Sequence, residues 1–164
     1  MSEQTGTMLS QHARQEIDKW LAQYPNEWQR AAVISALHIV QEDNGGWLST
    51  ELMDAVAEYL DMPPIAVYEV GTFYTMFNLR PVGRHVINIC TNISCMLCGS
   101  SEIVKHLEER LGVTLGETTP DGRFTLKEAE CLAACAGAPM FHIGDKYYEN
   151  LTPQKIDEIL DSLK

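Results

Sequence analysis

The chain of 164 residues lacks several features that would place it quickly. Its first residues, Met1-Ser2-Glu3-Gln4-Thr5-Gly6, offer neither a basic n-region nor an apolar h-region, so no secretory leader is expected. It has no long apolar run. The most apolar stretch, Ala31 to Val40, is interrupted by Ser35 and His38, and a bilayer span needs about 20 apolar residues. Direct membrane insertion is therefore not expected. Cations are scarce: 12 Lys and Arg stand against 23 Asp and Glu, a formal net charge of −11. Such a chain repels phosphate backbones and anionic lipid, so nucleic acid is excluded as an expected partner. There is no internal repeat, no low-complexity segment and no G-x-G-x-x-G after a strand, so nothing suggests that this chain binds a dinucleotide itself. These absences leave a soluble, intracellular, acidic protein whose hydrophobic fraction of 45% allows a packed core.

The element pattern changes near residue 82, which predicts two domains, 1–82 and 83–164. Residues 1–8 read as a disordered polar tail. The rest of the first part reads as helical. Ser10 suits an N-cap, with Ile17, Trp20 and Leu21 following at helical spacing. Pro25-Asn26 breaks that run, and Trp28 to Asp43 resumes it until Asn44-Gly45-Gly46. Ser49-Thr50-Glu51 caps a third helix through Leu60, and Pro64 starts a fourth over Ile65 to Phe77. Phe73, Tyr74 and Phe77 fall at helical spacing and read as core. The expectation is a four-helix array with short loops.

The second part reads as β-α-β-β-β-α. His85 to Ile89 is a strand ending at Cys90. Glu102 to Leu111 is an amphipathic helix stopped by Gly112, and Phe124 to Leu126 is a strand leading to Cys131. Thr114 to Gly122 reads as a long loop. Met140 to Ile143 and Lys146 to Tyr148 flank a Gly144-Asp145 hairpin, and Thr152-Pro153 opens a last helix. This order matches a thioredoxin-like arrangement, so the fold class is α+β.

Five cysteines fall in two groups, Cys90-x4-Cys95-x2-Cys98 and Cys131-x3-Cys135. In a reducing compartment such clusters are more often metal ligands than disulfides. Thiolates are soft, charged ligands, and a [2Fe–2S] cluster takes four. Cys90, Cys95, Cys98 and Cys131 fit the plant-type ferredoxin spacing. Cys90, Cys95, Cys131 and Cys135 form the alternative, preferred because Gly99-Ser100-Ser101 reads as a helix start and because Cys135 sits among small residues, Ala133-Ala134 and Ala136-Gly137-Ala138, which let backbone amides approach a cluster. A zinc site with four cysteine ligands is compatible with the same spacing, and a redox pair at Cys95 and Cys98 is a third reading. Arg80, Arg84, His85 and Arg123 read as partner-facing, near the metal site, or plain solvated charge.

Three segments carry a family resemblance: Cys90-Thr91-Asn92-Ile93-Ser94-Cys95-Met96-Leu97; Gly116-Glu117-Thr118-Thr119-Pro120-Asp121-Gly122; and Glu130-Cys131-Leu132-Ala133-Ala134-Cys135 with Ala138-Pro139-Met140. Together with Gly71-Thr72-Phe73-Tyr74-Thr75-Met76-Phe77 and Pro81-Val82-Gly83, they make the chain resemble the thioredoxin-like [2Fe–2S] subunits of respiratory complex I, found in bacterial NADH:quinone oxidoreductase and its mitochondrial counterpart. The resemblance covers roughly residues 15 to 164. It implies an N-terminal helical bundle followed by a thioredoxin-like [2Fe–2S] ferredoxin domain. It places one [2Fe–2S] cluster on Cys90, Cys95, Cys131 and Cys135, with Cys98 a bystander. It also implies a subunit that is not catalytic alone and that exchanges electrons with FMN in a flavin-bearing NADH-binding partner subunit, where FMN and NADH are bound. The expected location is the cytoplasmic, peripheral arm of an inner-membrane respiratory complex. An equivalent diaphorase subunit of an NAD-linked hydrogenase or formate dehydrogenase is the alternative host, and a structural zinc module the alternative function.

Overall fold

The computed structural model describes residues 8–163. The tail expected over residues 1–8 lies outside them, apart from an exposed Met8. The chain divides into two compact units, one ending at Pro81 and the other beginning at Val82.

In the first unit, α1 (Gln11–Leu21) begins where the Ser10 hydroxyl accepts a hydrogen bond from the Ala13 N–H at 2.8 Å. That bond satisfies one of the amides a helix start leaves unpaired. The second helix starts later than the sequence pattern suggests. Residues Asn26–Ala32 form a 3-10 run with Trp28 off helical geometry at φ −114°, ψ 27°, and α2 is Val33–Asp43. Trp28 is exposed, so burial of its side chain does not hold this turn in an α-helix. Ser49 caps α3 (Thr50–Tyr59) by accepting from the Leu52 N–H at 3.2 Å.

Helix α4 is Pro64–Phe73, not Ile65 to Phe77. Tyr74 leaves helical geometry at ψ 121°, and the chain bends so that Phe77 alone turns inward, against the His38 ring at 5.0 Å. Phe73 is exposed, so the expected aromatic stripe breaks in two. Buried Gln41 fixes this bend from both sides, donating to the Met76 carbonyl and accepting from the Asn78 N–H. Ile17, Leu37, Val40, Leu48, Val56, Leu60 and Val67 form the core with Phe77. Gly71 lets α4 lie close on α3, since a Cβ there would come within 2.8 Å of Met53 Sδ.

The second unit is β1 (His85–Cys90), α5 (Ile93–Leu97), α6 (Ser100–Leu111), β2 (Phe124–Ala129), β3 (Phe141–Ile143), β4 (Lys146–Tyr148) and α7 (Pro153–Ser162). Its sheet runs β2-β1-β3-β4. Strands β1 and β2 are parallel, joined by the crossover through α6, while β3 is antiparallel to both β1 and β4. Ile143 pairs with Lys146 across the Gly144-Asp145 turn, as the hairpin reading expects. Ile87, Ile89, Leu126 and Phe141 pack with Ile103 and Leu107 of α6 and Ile156 and Leu160 of α7. The loop from Thr114 to Gly122 is more ordered than its composition suggests. It folds back along β2, with Gly116 N–H on the Leu126 carbonyl and Leu126 N–H on the Glu117 carbonyl. Helices and a mixed four-stranded sheet together make the fold α+β. Among the described residues no helix is long and apolar enough to cross a membrane.

Candidate metal centre

Topology explains why cysteines far apart in sequence meet. Because β1 and β2 are parallel, their C-terminal ends lie side by side, with Cys90 opposite Ala129. The loop after each strand therefore leaves from the same end of the sheet. Strand β1 also lies between β2 and β3. The connection from β2 to β3, residues 130–140, must cross the end of β1 and passes over the Cys90 loop carrying Cys131 and Cys135.

Local bonds hold that crossing in place. Cys90 N–H donates to the Met140 carbonyl at 3.1 Å, and Thr91 N–H to the Ala129 carbonyl at 3.3 Å. The Asn92 side chain donates to the Glu130 carbonyl at 2.8 Å, and Thr91 Oγ1 donates to Glu128 Oε1 at 2.6 Å. Cys90, Cys95 and Met140 are buried together against Leu132, Ala134 and Ala138. Cys131 and Cys135 lie at the exposed rim of this cluster, and Cys131 Sγ accepts from the Ala133 N–H at 3.4 Å.

The sulfurs are wired to main-chain amides and to one another. Burial raises the Cys90 thiol, but hydrogen bonds from the Asn92 and Leu132 amides and from Cys95 outweigh it and leave Cys90 below the ordinary thiol range. Cys95 goes the other way. Burial pushes its thiol up to about 11, with the Cys90 hydrogen bond and the negative character of Cys90 and Cys135 acting in the same direction and the Met140 amide opposing them. In the metal-free chain the buried pair thus shares its proton unequally, Cys90 giving it up more readily than Cys95. A bound metal would replace that proton, which couples binding to proton release.

Cys98 is placed differently. It is exposed at the C-terminal cap of α5, where its N–H donates to the Cys95 carbonyl at 3.1 Å. Helix α5 itself has no counterpart in the sequence pattern of apolar residues. Asn92 is its N-cap, its Oδ1 accepting from the Ile93 N–H at 2.8 Å, and an asparagine ahead of Ile93-Ser94 is the signal that could have revealed it. The basic residues Arg84, His85 and Arg123 sit at the start of β1 and β2, at the opposite end of the strands from Cys90. A six-residue strand separates them from it by roughly 17 Å, so they do not line the cysteine site. Arg123 instead lies over the Phe124 ring at 5.0 Å and donates to the Leu163 carbonyl.

Four of the thiols, Cys90, Cys95, Cys131 and Cys135, fall in two pairs, one pair per loop, with backbone amides directed at Cys90, Cys95 and Cys131. Among the described residues no three His, Cys, Asp or Glu side chains are gathered as a site for a single metal ion. A binuclear cluster divides its four thiolates between two irons, so it asks for pairs. Cys90, Cys95, Cys131 and Cys135 fit such a group in number and chemistry.

Fold and site thus define a protein that carries two cysteine loops at one end of a mixed four-stranded sheet. The chain belongs to the thioredoxin-like [2Fe-2S] ferredoxin family, whose model matches residues 17–164. It is 44% identical over 163 residues to NADH dehydrogenase [ubiquinone] flavoprotein 2, mitochondrial, of Dictyostelium discoideum, a match covering 99% of this chain and 66% of that protein. It is 47% identical over 144 residues to the E subunit of NADH-quinone oxidoreductase from Rickettsia bellii, covering 88% of this chain and 86% of that protein. Its fold resembles part of an NAD+-reducing [NiFe]-hydrogenase crystal structure, with a TM-score of 0.69 over 80% of this chain and 22% of the other. At 20% identity that likeness is one of fold alone.

Proposed function

We propose that this chain is the electron-carrying subunit of an NADH:quinone oxidoreductase. It exchanges electrons with a flavin on a partner NADH-binding subunit through a [2Fe–2S] cluster held by Cys90, Cys95, Cys131 and Cys135. The chain works as part of that oxidoreductase and is not catalytic alone. The observation that carries the reading is the β2-to-β3 crossing over the end of β1, which sets the Leu132 amide on Cys90 and Cys135 within electrostatic reach of Cys95.

When bound, the cluster supplies one-electron redox chemistry. The chain's own residues bind and tune it. Buried Cys90 and Cys95 anchor one side on the sheet, while Cys131 and Cys135 present the rim. Reduction adds negative charge to a site inside a chain already at −11, which lowers the expected potential. The Asn92, Leu132 and Met140 amides point partial positive charge at the sulfurs and offset part of that cost.

The hydrogenase-type host is the second reading because the fold recurs there. Relatives at 44% and 47% identity that are named as NADH dehydrogenase and NADH-quinone oxidoreductase subunits favour the first. The test is to purify the complex through a tag on this chain, identify its subunits and titrate it with NADH. The proposal expects a flavin-bearing subunit in the complex and bleaching of the cluster absorption that depends on that subunit. Recovery with hydrogenase subunits would move the chain to the second reading. A complex without flavin would overturn both.

A further inference from the structure

Helix α4 has the sequence of an enclosed helix on an open surface. Its ten residues, Pro64–Phe73, carry a single charge, Glu69, and apolar residues occur all round the axis. Helices of that composition are ordinarily covered on every side. Here only Val67 and Gly71 are buried. Ile65 is 63% exposed and Phe73 76%, and beyond the helix end Met76 is 42% and Leu79 41% exposed. At 3.6 residues per turn Ile65 and Thr72 align, with Phe73 beside them.

Alongside runs a groove of about 300 Å³ between α3 and α4, lined by Leu48, Thr50, Met53, Tyr68, Thr72 and Leu79. Met53, against which Gly71 lies close, is part of that lining. Its electrostatics are one-sided. From Asn44 to Leu79 the chain holds five carboxylates, Glu51, Asp54, Glu58, Asp61 and Glu69, and no Lys, Arg or His, with exposed Arg80 following directly on Leu79. Two of them border the groove: the Tyr68 hydroxyl donates to the Asp54 carboxylate, and Glu51 lies close enough to act on the same hydroxyl.

An apolar groove bordered mainly by carboxylates selects its occupant. A second copy in a two-fold contact would set this border against itself. An anionic bilayer would be repelled. We propose that the α3–α4 groove and the exposed side of α4 dock an amphipathic helix of a partner subunit, its apolar ridge entering the groove and its flanking Lys and Arg facing Glu51, Asp54 and Glu69. This rests on the reading that the chain works inside a larger complex, and it adds which surface of the helical unit binds and what chemistry it takes. Helix-in-groove recognition works through apolar anchors at helical spacing.

The test places the photo-cross-linking residue p-benzoylphenylalanine at position 73 of the full chain in cells, irradiates the purified complex and sequences the linked peptide. Position 28, where Trp28 is 53% exposed and is not part of the groove lining, is the control, and position 79 serves if the Phe73 substitution disturbs folding. The expected product is a link from 73 or 79 to a segment of another subunit with apolar residues at helical spacing and Lys or Arg beside them. Phe73→Asp with Leu79→Asp should weaken retention of that subunit by at least about tenfold, as loss of an apolar anchor does. Links only to a second copy of this chain, or none from an assembled complex, would overturn the proposal. Iron content and visible absorption of the same samples separate this from the cluster reading: an iron-loaded, assembled complex without the link sinks the docking surface alone.

Discussion

The Asn92 side-chain amide donates to the Glu130 carbonyl oxygen at 2.8 Å and so ties the loop after β1 to the loop after β2. Its Oδ1 accepts from the Ile93 N–H at 2.8 Å and starts the short helix that carries Cys95. One side chain thus joins the two cysteine loops and caps the helix that carries Cys95. Asn92→Ala should cost about 1–2 kcal/mol of stability, a cap and a loop-bridging bond together. It should also release iron to a chelator several-fold faster. Urea titration and the chelation rate measure the two effects, and release at the wild-type rate would show that Asn92 does not position the ligand loops.

Gly83 is required for a reason other than flexibility. A Cβ there would stand 2.8 Å from the Phe124 carbonyl carbon and 2.9 Å from Arg123 C and Phe124 N. These are backbone atoms at the start of β2 and cannot swing aside. The Gly83 N–H also donates to Thr125 Oγ1 at 2.6 Å. Gly83→Ala should therefore destabilise the second unit by roughly 1–3 kcal/mol, the usual cost of overpacking, seen as a lower urea midpoint. An unchanged midpoint would mean that β2 shifts freely at its start.

Acid should weaken the second unit through His85. Burial, with Arg84 and Arg123 adding to it, holds the imidazole below its ordinary range of about 6.5. As pH falls through about 6.5 the unfolded chain takes up the proton first. The stability that neutral His85 contributes is full above that pH and is lost as pH falls through its lowered folded value. His85→Gln should flatten the decline in stability on acidification below neutral pH. A decline as steep as wild type would assign it to other groups.

Much of this architecture is legible in the sequence because local chemistry decides it. Ser10 and Ser49 cap helices, Gly112 stops one, and Gly144-Asp145 turns a hairpin, each through contacts a few residues apart. Sequence patterns fail where distant partners decide. Phe73 and Phe77 look alike in a helical pattern, yet Gln41, far back in the chain, fixes the bend that buries one and exposes the other. Thr114 to Gly122 looks like a loop because its order comes from β2. Among the candidate ligands, spacing leaves Cys98 open beside Cys135. What spacing cannot show is that the crossing over β1 brings Cys135 within electrostatic reach of Cys95.

The central claim is that Cys90, Cys95, Cys131 and Cys135 hold one [2Fe–2S] cluster and that Cys98 does not. Iron and labile sulfide in the purified full chain, with Cys98→Ser and Cys135→Ser beside the wild type, test it most directly. The account predicts about two irons and two sulfides per chain in wild type and in Cys98→Ser, and loss of the cluster in Cys135→Ser. Colourless protein with stoichiometric zinc, or a cluster that survives loss of Cys135 and not of Cys98, would contradict it.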